Sequence, residues 1–97
     1  MTVWRHYVFT AAPGKETAMV DALNLLASKV RPLAGCEGVQ IGQDAENPAD
    51  FVFIEAWTGI DAHKAASGKL TKDDFGPMME CMGGPPSGRY VNVLNKS

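Results

Sequence analysis

Ninety-seven residues, 45% of them hydrophobic, are enough for one domain and too few for two separate cores. A formal net charge of −2, with no run of Lys and Arg interleaved with aromatics, removes the electrostatic case for a nucleic-acid partner. No apolar stretch approaches the roughly 20 residues of a membrane span, and the polar start at Trp4, Arg5 and His6 does not read as a signal peptide, so no membrane partner is expected and the expected setting is the cytoplasm. In that setting Cys36 and Cys81 are expected as free thiols. Neither has a second Cys or a His at metal-ligand spacing, and His6 and His63 are far apart, so no metal is expected.

From Val3 to Thr10 the residues alternate, with Trp4, His6 and Val8 on one side and Val3, Arg5, Tyr7 and Phe9 on the other, which predicts a strand. Pro13 and Gly14 then break the pattern. Between Lys15 and Val30 the apolar residues Met19, Leu23, Leu26 and Val30 recur at helical spacing. Glu16 suits the positive end of that helix and Lys29 and Arg31 its negative end, and Pro32 forces it to stop near Arg31. A turn from Leu33 to Gly38 leads into a short strand, Val39 to Gln43, and Asn47 with Pro48 marks the next connection.

The run from Phe51 to Trp57, rich in aromatic and β-branched residues, predicts a central strand paired with Val39 to Gln43. Alternation puts Phe51, Phe53, Glu55 and Trp57 on one face and Val52, Ile54 and Ala56 on the other. The smooth aliphatic face suits helices. The aromatic face, carrying one carboxylate, is then expected to border a cavity, a subunit interface or solvent. Asp61 is a candidate N-cap for a helix to about Lys69, whose apolar face is too weak to stand alone. A second helical piece begins at Asp73 or Asp74 and carries Phe75, Met78, Met79 and Met82, with Pro77 in its first turn. After the loose segment Gly83 to Gly88, a last strand runs from Arg89 to Leu94.

The order is β-α-β-β-α-β, an α+β, ferredoxin-like plan with a four-stranded antiparallel sheet and its helices on one face. The helix-free face, with Phe51, Phe53 and Trp57 on it, is expected to meet a partner sheet or a ligand. A homodimer is expected, because a chain of this size buries only about 60–65% of its unfolded surface by itself.

Pro13-Gly14 after the first strand, Pro32 to Cys36 after the long helix, Phe51 to Trp57, and His63 at the start of the next helix together resemble the antibiotic biosynthesis monooxygenase family, to which the quinol monooxygenases belong. The resemblance covers nearly the whole chain. It implies a homodimeric α/β barrel in which two sheets pack together, and, as in some members, oxygenation of phenolic polycyclic or quinol substrates without metal, flavin or other cofactor. Haem-degrading relatives carry an early asparagine where this chain has Tyr7, and an axial histidine later than His63, which this chain lacks; haem is therefore not expected.

His63 is the first candidate for catalysis, because an imidazole titrates near neutral pH and can take the proton of a phenol or quinol. Glu55, a carboxylate among aromatics, is the second: it is either ion-paired with Arg5 or Arg89, or shifted toward neutrality and able to exchange protons. Trp57 can stack on a planar substrate. Phe53, Tyr7, Tyr90 and Met79 complete the expected substrate-binding set, with His6 a weaker hydrogen-bond candidate. Each has a bland counterpart: Trp57 as core, Glu55 as a structural ion pair, His63 as an exposed first-turn residue, the methionines as adaptable packing. Two functions follow, a cofactor-independent monooxygenase acting on a small aromatic or quinol-type substrate and a non-catalytic small-molecule-binding dimer of the same fold.

Overall fold

The two runs of aromatic and β-branched residues become the two central strands of one sheet. In the computed structural model, which describes residues 1–95, β1 (Val3–Thr10) and β3 (Asp50–Trp57) pair antiparallel, from Val3 opposite Trp57 to Thr10 opposite Asp50. β2 (Cys36–Gln43) flanks β3, with Val39 opposite Glu55 and Ile41 opposite Phe53. β4 (Ser87–Asn92) flanks β1, with Tyr90 opposite Arg5. The sheet order β2-β3-β1-β4 is the ferredoxin-like arrangement that the order of elements predicts.

Three helices complete the domain: α1 (Glu16–Val30), α2 (Ile60–Ser67) and α3 (Lys72–Glu80). The stripe Met19, Leu23, Leu26 and Val30 of α1 is buried, and it shares one core with Phe9, Phe51, Phe53 and Trp57. The assignment of faces from sequence is thereby reversed. The aromatic face lies under the helices, while Val52, Ile54 and Ala56 point to the helix-free side and are half-buried. Magnitude decides this: an aromatic side chain buries about 150–250 Å², far more than Val or Ala, so a sheet with one helix layer puts its rings beneath that layer. Smoothness is the weaker criterion.

Several boundaries also shift. β2 begins at Cys36, with an irregular register between Cys36 and Gly38. The N-cap of α2 is Gly59, and Asp61 lies inside its first turn. α3 begins earlier than its aspartates suggest, because the backbone N–H of Thr71 donates to the Asp74 carboxylate at 2.7 Å and closes a capping box. Asp74 also binds Lys29 at 2.9 Å, tying α3 to α1. Pro77 falls inside α3, beyond its first turn. β4 starts at Ser87, since pairing with Val8 recruits residues that composition alone assigns to a loop.

The turn after α1 packs directly on α2. Gly35 has φ +88°, and a Cβ there would stand 2.7 Å from Ala62 Cβ. Its carbonyl accepts the Thr58 N–H at 3.0 Å. Gly35→Ala is expected to cost about 1–3 kcal/mol, seen as a lower urea midpoint with unchanged slope. An unchanged midpoint would contradict this close approach.

No helix among the described residues is long and apolar enough to cross a membrane. Cys36 and Cys81 are free thiols. Among the described residues no group of three or more His, Cys, Asp and Glu side chains is gathered around a point that could hold a metal.

Candidate functional site

Between the sheet and the helices lies a partly enclosed cavity of about 260 Å³. The helix-facing rows of β1 and β3 form its floor through Tyr7, Phe53, Glu55 and Trp57. The rings support one another: Phe9 stacks on Tyr7 at 5.6 Å, and Phe53 stands tilted against Tyr7 at 6.4 Å. Leu26 and Val30 of α1 and Phe75 and Met78 of α3 supply apolar walls. Met79 borders the cavity while 62% exposed, so it stands at the rim. An apolar cavity of about 150 Å³ holds one benzene ring, so this one has room for a fused aromatic ring pair.

One wall is polar, and its centre is His63. The imidazole is buried at 7% exposure and meets Trp57 and Tyr90 edge-on, with ring centres at 5.6 and 5.3 Å. Its Nε2 lies 3.2 Å from Tyr7 Oη, 3.4 Å from Ser67 Oγ and 3.7 Å from Glu55 Oε1. Its Nδ1 lies 2.7 Å from Tyr90 Oη. For Nε2 to accept a substrate proton, the resting proton must sit on Nδ1, where Tyr90 Oη can receive it.

Local sequence spacing builds this cluster. Glu55 and Trp57 are two apart on a strand and therefore share a face, so the indole N–H donates to Glu55 Oε1 at 3.0 Å. His63 and Ser67 are four apart on a helix, and Ser67 Oγ donates to the His63 carbonyl at 2.9 Å while facing Nε2. Burial pushes the Glu55 carboxyl above the usual carboxylate range, against the opposing pull of the Trp57 N–H and the Arg5 charge. Burial, with the charges of Arg5 and Lys64, pushes His63 below its ordinary value of 6.5. The Tyr7 hydroxyl is pushed up, chiefly by burial. At neutral pH the imidazole is thus held neutral, the form a general base requires.

His63, Glu55, Trp57, Tyr7, Phe53 and Met79 all border the cavity. Tyr90 does not; its hydroxyl is spent on the far nitrogen of His63, so it backs the imidazole rather than facing the cavity. The Trp57 N–H is spent on Glu55 and offers the cavity only ring surface. His6 and Arg89 pair across β1 and β4 on the helix-free side and lie outside the site, which removes Arg89 as a partner for Glu55. Arg5 is no close ion-pair partner either: among the described residues the Lys or Arg ion pair is Lys29 with Asp74, and Glu55 instead lies 3.7 Å from His63 Nε2. His63 is not an exposed first-turn residue but a buried one. Sequence reasoning missed Ser67, although its helical spacing from His63 was there to be used.

A ferredoxin-like sheet with helices on one side and an aromatic cavity between the layers makes this a monooxygenase-like fold. The chain belongs to the antibiotic biosynthesis monooxygenase family, whose model matches residues 2–69. No curated protein sequence matches it. Among solved structures, a candidate antibiotic biosynthesis monooxygenase from Bordetella bronchiseptica superposes with a TM-score of 0.86 at 17% identity, covering 97% of this chain and 98% of that one. A similarly described protein from Nitrosomonas europaea gives 0.85 at 18% identity over 96% and 90% of the two chains. One from Chloroflexus aurantiacus gives 0.81 at 19% identity over 100% and 97%. At these identities the likeness is one of fold.

Proposed function

We propose that the protein is a cofactor-independent monooxygenase that oxidises a phenolic, anthrone-like or quinol small molecule with molecular oxygen. The observation that carries this reading is a single buried imidazole, bracketed by hydrogen bonds, on the polar wall of an aromatic cavity. A planar substrate would lie on Phe53, Tyr7 and Trp57, with its acidic O–H or C–H toward His63 Nε2. Nε2 takes the proton, and the resulting anion passes one electron to O2. The radical pair joins as a peroxide bonded to the substrate carbon. His63 returns its proton to the distal peroxide oxygen; loss of the second C–H proton from the same carbon then forms the new carbonyl as the O–O bond breaks, and the departing hydroxide takes up that proton as water. For an anthrone the balance is CH2 plus O2 giving C=O plus H2O, with all electrons supplied by the substrate. Glu55, beside Nε2 and raised toward neutrality, is suited to relay the second proton. The test is a turnover under 18O-labelled oxygen: the reading requires one labelled atom per product molecule, and a product with unlabelled new oxygen would refute it.

The rival reading, a non-catalytic binding dimer, uses the same cavity and needs no proton acceptor in it. The buried His63 cluster favours the enzyme, because an apolar binding site gains nothing from enclosing an imidazole, a carboxyl and a phenol together.

The proposed protein is a cytoplasmic homodimer, in keeping with its free cysteines. Its helix-free face carries Trp4, 37% exposed, beside the half-buried Val8, Val52, Ile54 and Val91. Sheet-to-sheet packing over that face, of the roughly 1,200–2,000 Å² that stable interfaces bury, is the expected cover. Sedimentation at micromolar concentration should give twice the 10.4 kDa chain mass, and Ile54→Arg should shift it to the monomer. A wild-type monomer would contradict the dimer.

A further inference from the structure

Arg5 stands on the helix-facing side of β1, directly opposite Glu55 on β3 and Tyr90 on β4. Its guanidinium lies over two rings at once, with Cζ 4.9 Å from the centre of Tyr7 and 4.5 Å from that of Tyr90. Those rings carry the hydroxyls that hold the two nitrogens of His63: Tyr7 Oη at Nε2, 3.2 Å, and Tyr90 Oη at Nδ1, 2.7 Å. One cation therefore packs against both supports of the imidazole.

The strand opposite makes room for it. Gly88 faces Tyr7 across β4, and a Cβ there would come within 2.9 Å of both Arg5 Nη2 and the Tyr7 ring. No described carboxylate pairs closely with the charge. Among the described residues no carboxylate stands within ion-pair distance of Arg5, and its Nε is buried without a hydrogen-bond partner. A guanidinium over aromatic rings keeps its full charge and is always protonated. Its field then falls on the groups beside it, Glu55 and His63 among them.

We propose that Arg5 is the positioning residue of the His63 site: it clamps Tyr7 and Tyr90 so that both imidazole nitrogens are held, and its charge keeps the imidazole in its proton-accepting form. The titratable and charged groups facing His63 are Arg5 and Tyr7 from β1, Glu55 from β3, Tyr90 from β4 and Lys64 from its own helix. α1 and α3 bring apolar side chains to this cavity. Arg5 and Lys64 oppose a charge on the ring, and burial raises Glu55, which weakens its opposing influence. The catalytic consequence rests on the monooxygenase reading; the coupling of Arg5 to His63 does not.

The test is an NMR titration of the histidine ring protons in the whole protein, with wild type, Arg5→Met, Arg5→Gln and Arg5→Lys compared. The chain has two histidines, and His63→Gln assigns their signals. Arg5→Met fills the space between the rings without charge, so it keeps the test open where Arg5→Gln unfolds. The His63 midpoint should rise in both neutral variants and return toward wild type in Arg5→Lys. With a turning-over substrate, the acid limb of kcat/KM should move up with it, while KM changes little. An unmoved midpoint in the neutral variants, or an upward shift in Arg5→Lys as large as theirs, would overturn the proposal. Arg5→Lys alone suffices for that second outcome. Absence of oxygen uptake on every substrate, with the midpoints behaving as stated, would sink the monooxygenase reading and leave the role of Arg5 intact.

Discussion

His63→Ala is expected to lower the rate of oxygen uptake by about 100- to 10,000-fold, the contribution of a positioned general base. His63→Gln should be as slow, since it keeps hydrogen-bonding capacity and shape but cannot take a proton. The loss should fall on kcat more than on KM, because planar binding rests on Phe53, Tyr7 and Trp57 rather than on the imidazole. The pH dependence follows from the direction of the His63 shift. A base works when unprotonated, and burial with the neighbouring cations holds His63 below its ordinary 6.5. The rate should therefore stay high as pH falls through 6.5 and decline only as pH passes the lowered value. Stability carries the same sign: the depressed His63 value favours the folded state above 6.5, and that contribution is lost as pH falls through the folded value. Glu55 acts oppositely. Its raised value favours the folded state at low pH, and that contribution is lost as pH rises through the folded value above 4.5. A rate unaffected by both His63 variants would remove His63 as the base.

Trp57→Ala is expected to destabilise the domain by about 3–5 kcal/mol, the range for deleting a buried aromatic ring. Trp57 is 1% exposed and among the largest fully buried side chains, and a domain of this size has only about 5–15 kcal/mol to lose. Trp57→Phe separates the two jobs of the residue. It keeps ring surface in the core but removes the N–H that Glu55 Oε1 accepts at 3.0 Å, at a cost of about 1–3 kcal/mol. Without that donor the Glu55 carboxyl should move further up, since the Trp57 N–H is the first of the influences that lower it. Urea unfolding of the three proteins measures the first effect, and a carbon-13 titration of Glu55 the second. A Trp57→Ala protein as stable as wild type would contradict the buried placement.

The fold was legible because the patterns that encode it are local. The period-two alternation of Val3 to Thr10 and Phe51 to Trp57, and the stripe Met19, Leu23, Leu26 and Val30, each named an element and its face. What those patterns do not say is which side of the sheet the helices cover. Alternation is symmetric between the two faces, and the choice turned on how much area three rings bury. The site was legible as a set of residue types, with His63, Glu55, Trp57 and Tyr7 brought to one cavity from two strands and a helix. Their division of labour was not. That Tyr90 backs His63 and that Arg5 spans two tyrosine rings depend on the register of β4 against β1, which no local spacing announces. The early start of β4 has the same origin: Gly88 reads as loop by composition and as strand once Arg5 and Tyr7 require the space.

The central claim is that His63 and its aromatic cavity turn over a small planar substrate with oxygen. An oxygen electrode, metal-stripped wild-type protein and a panel of anthrones and naphthoquinols test it most directly. The account predicts oxygen consumption above buffer, one O2 per product molecule, abolished by His63→Gln. No uptake above buffer across the panel, with the quinone products still bound in the cavity, would contradict it and replace the enzyme with the binding module.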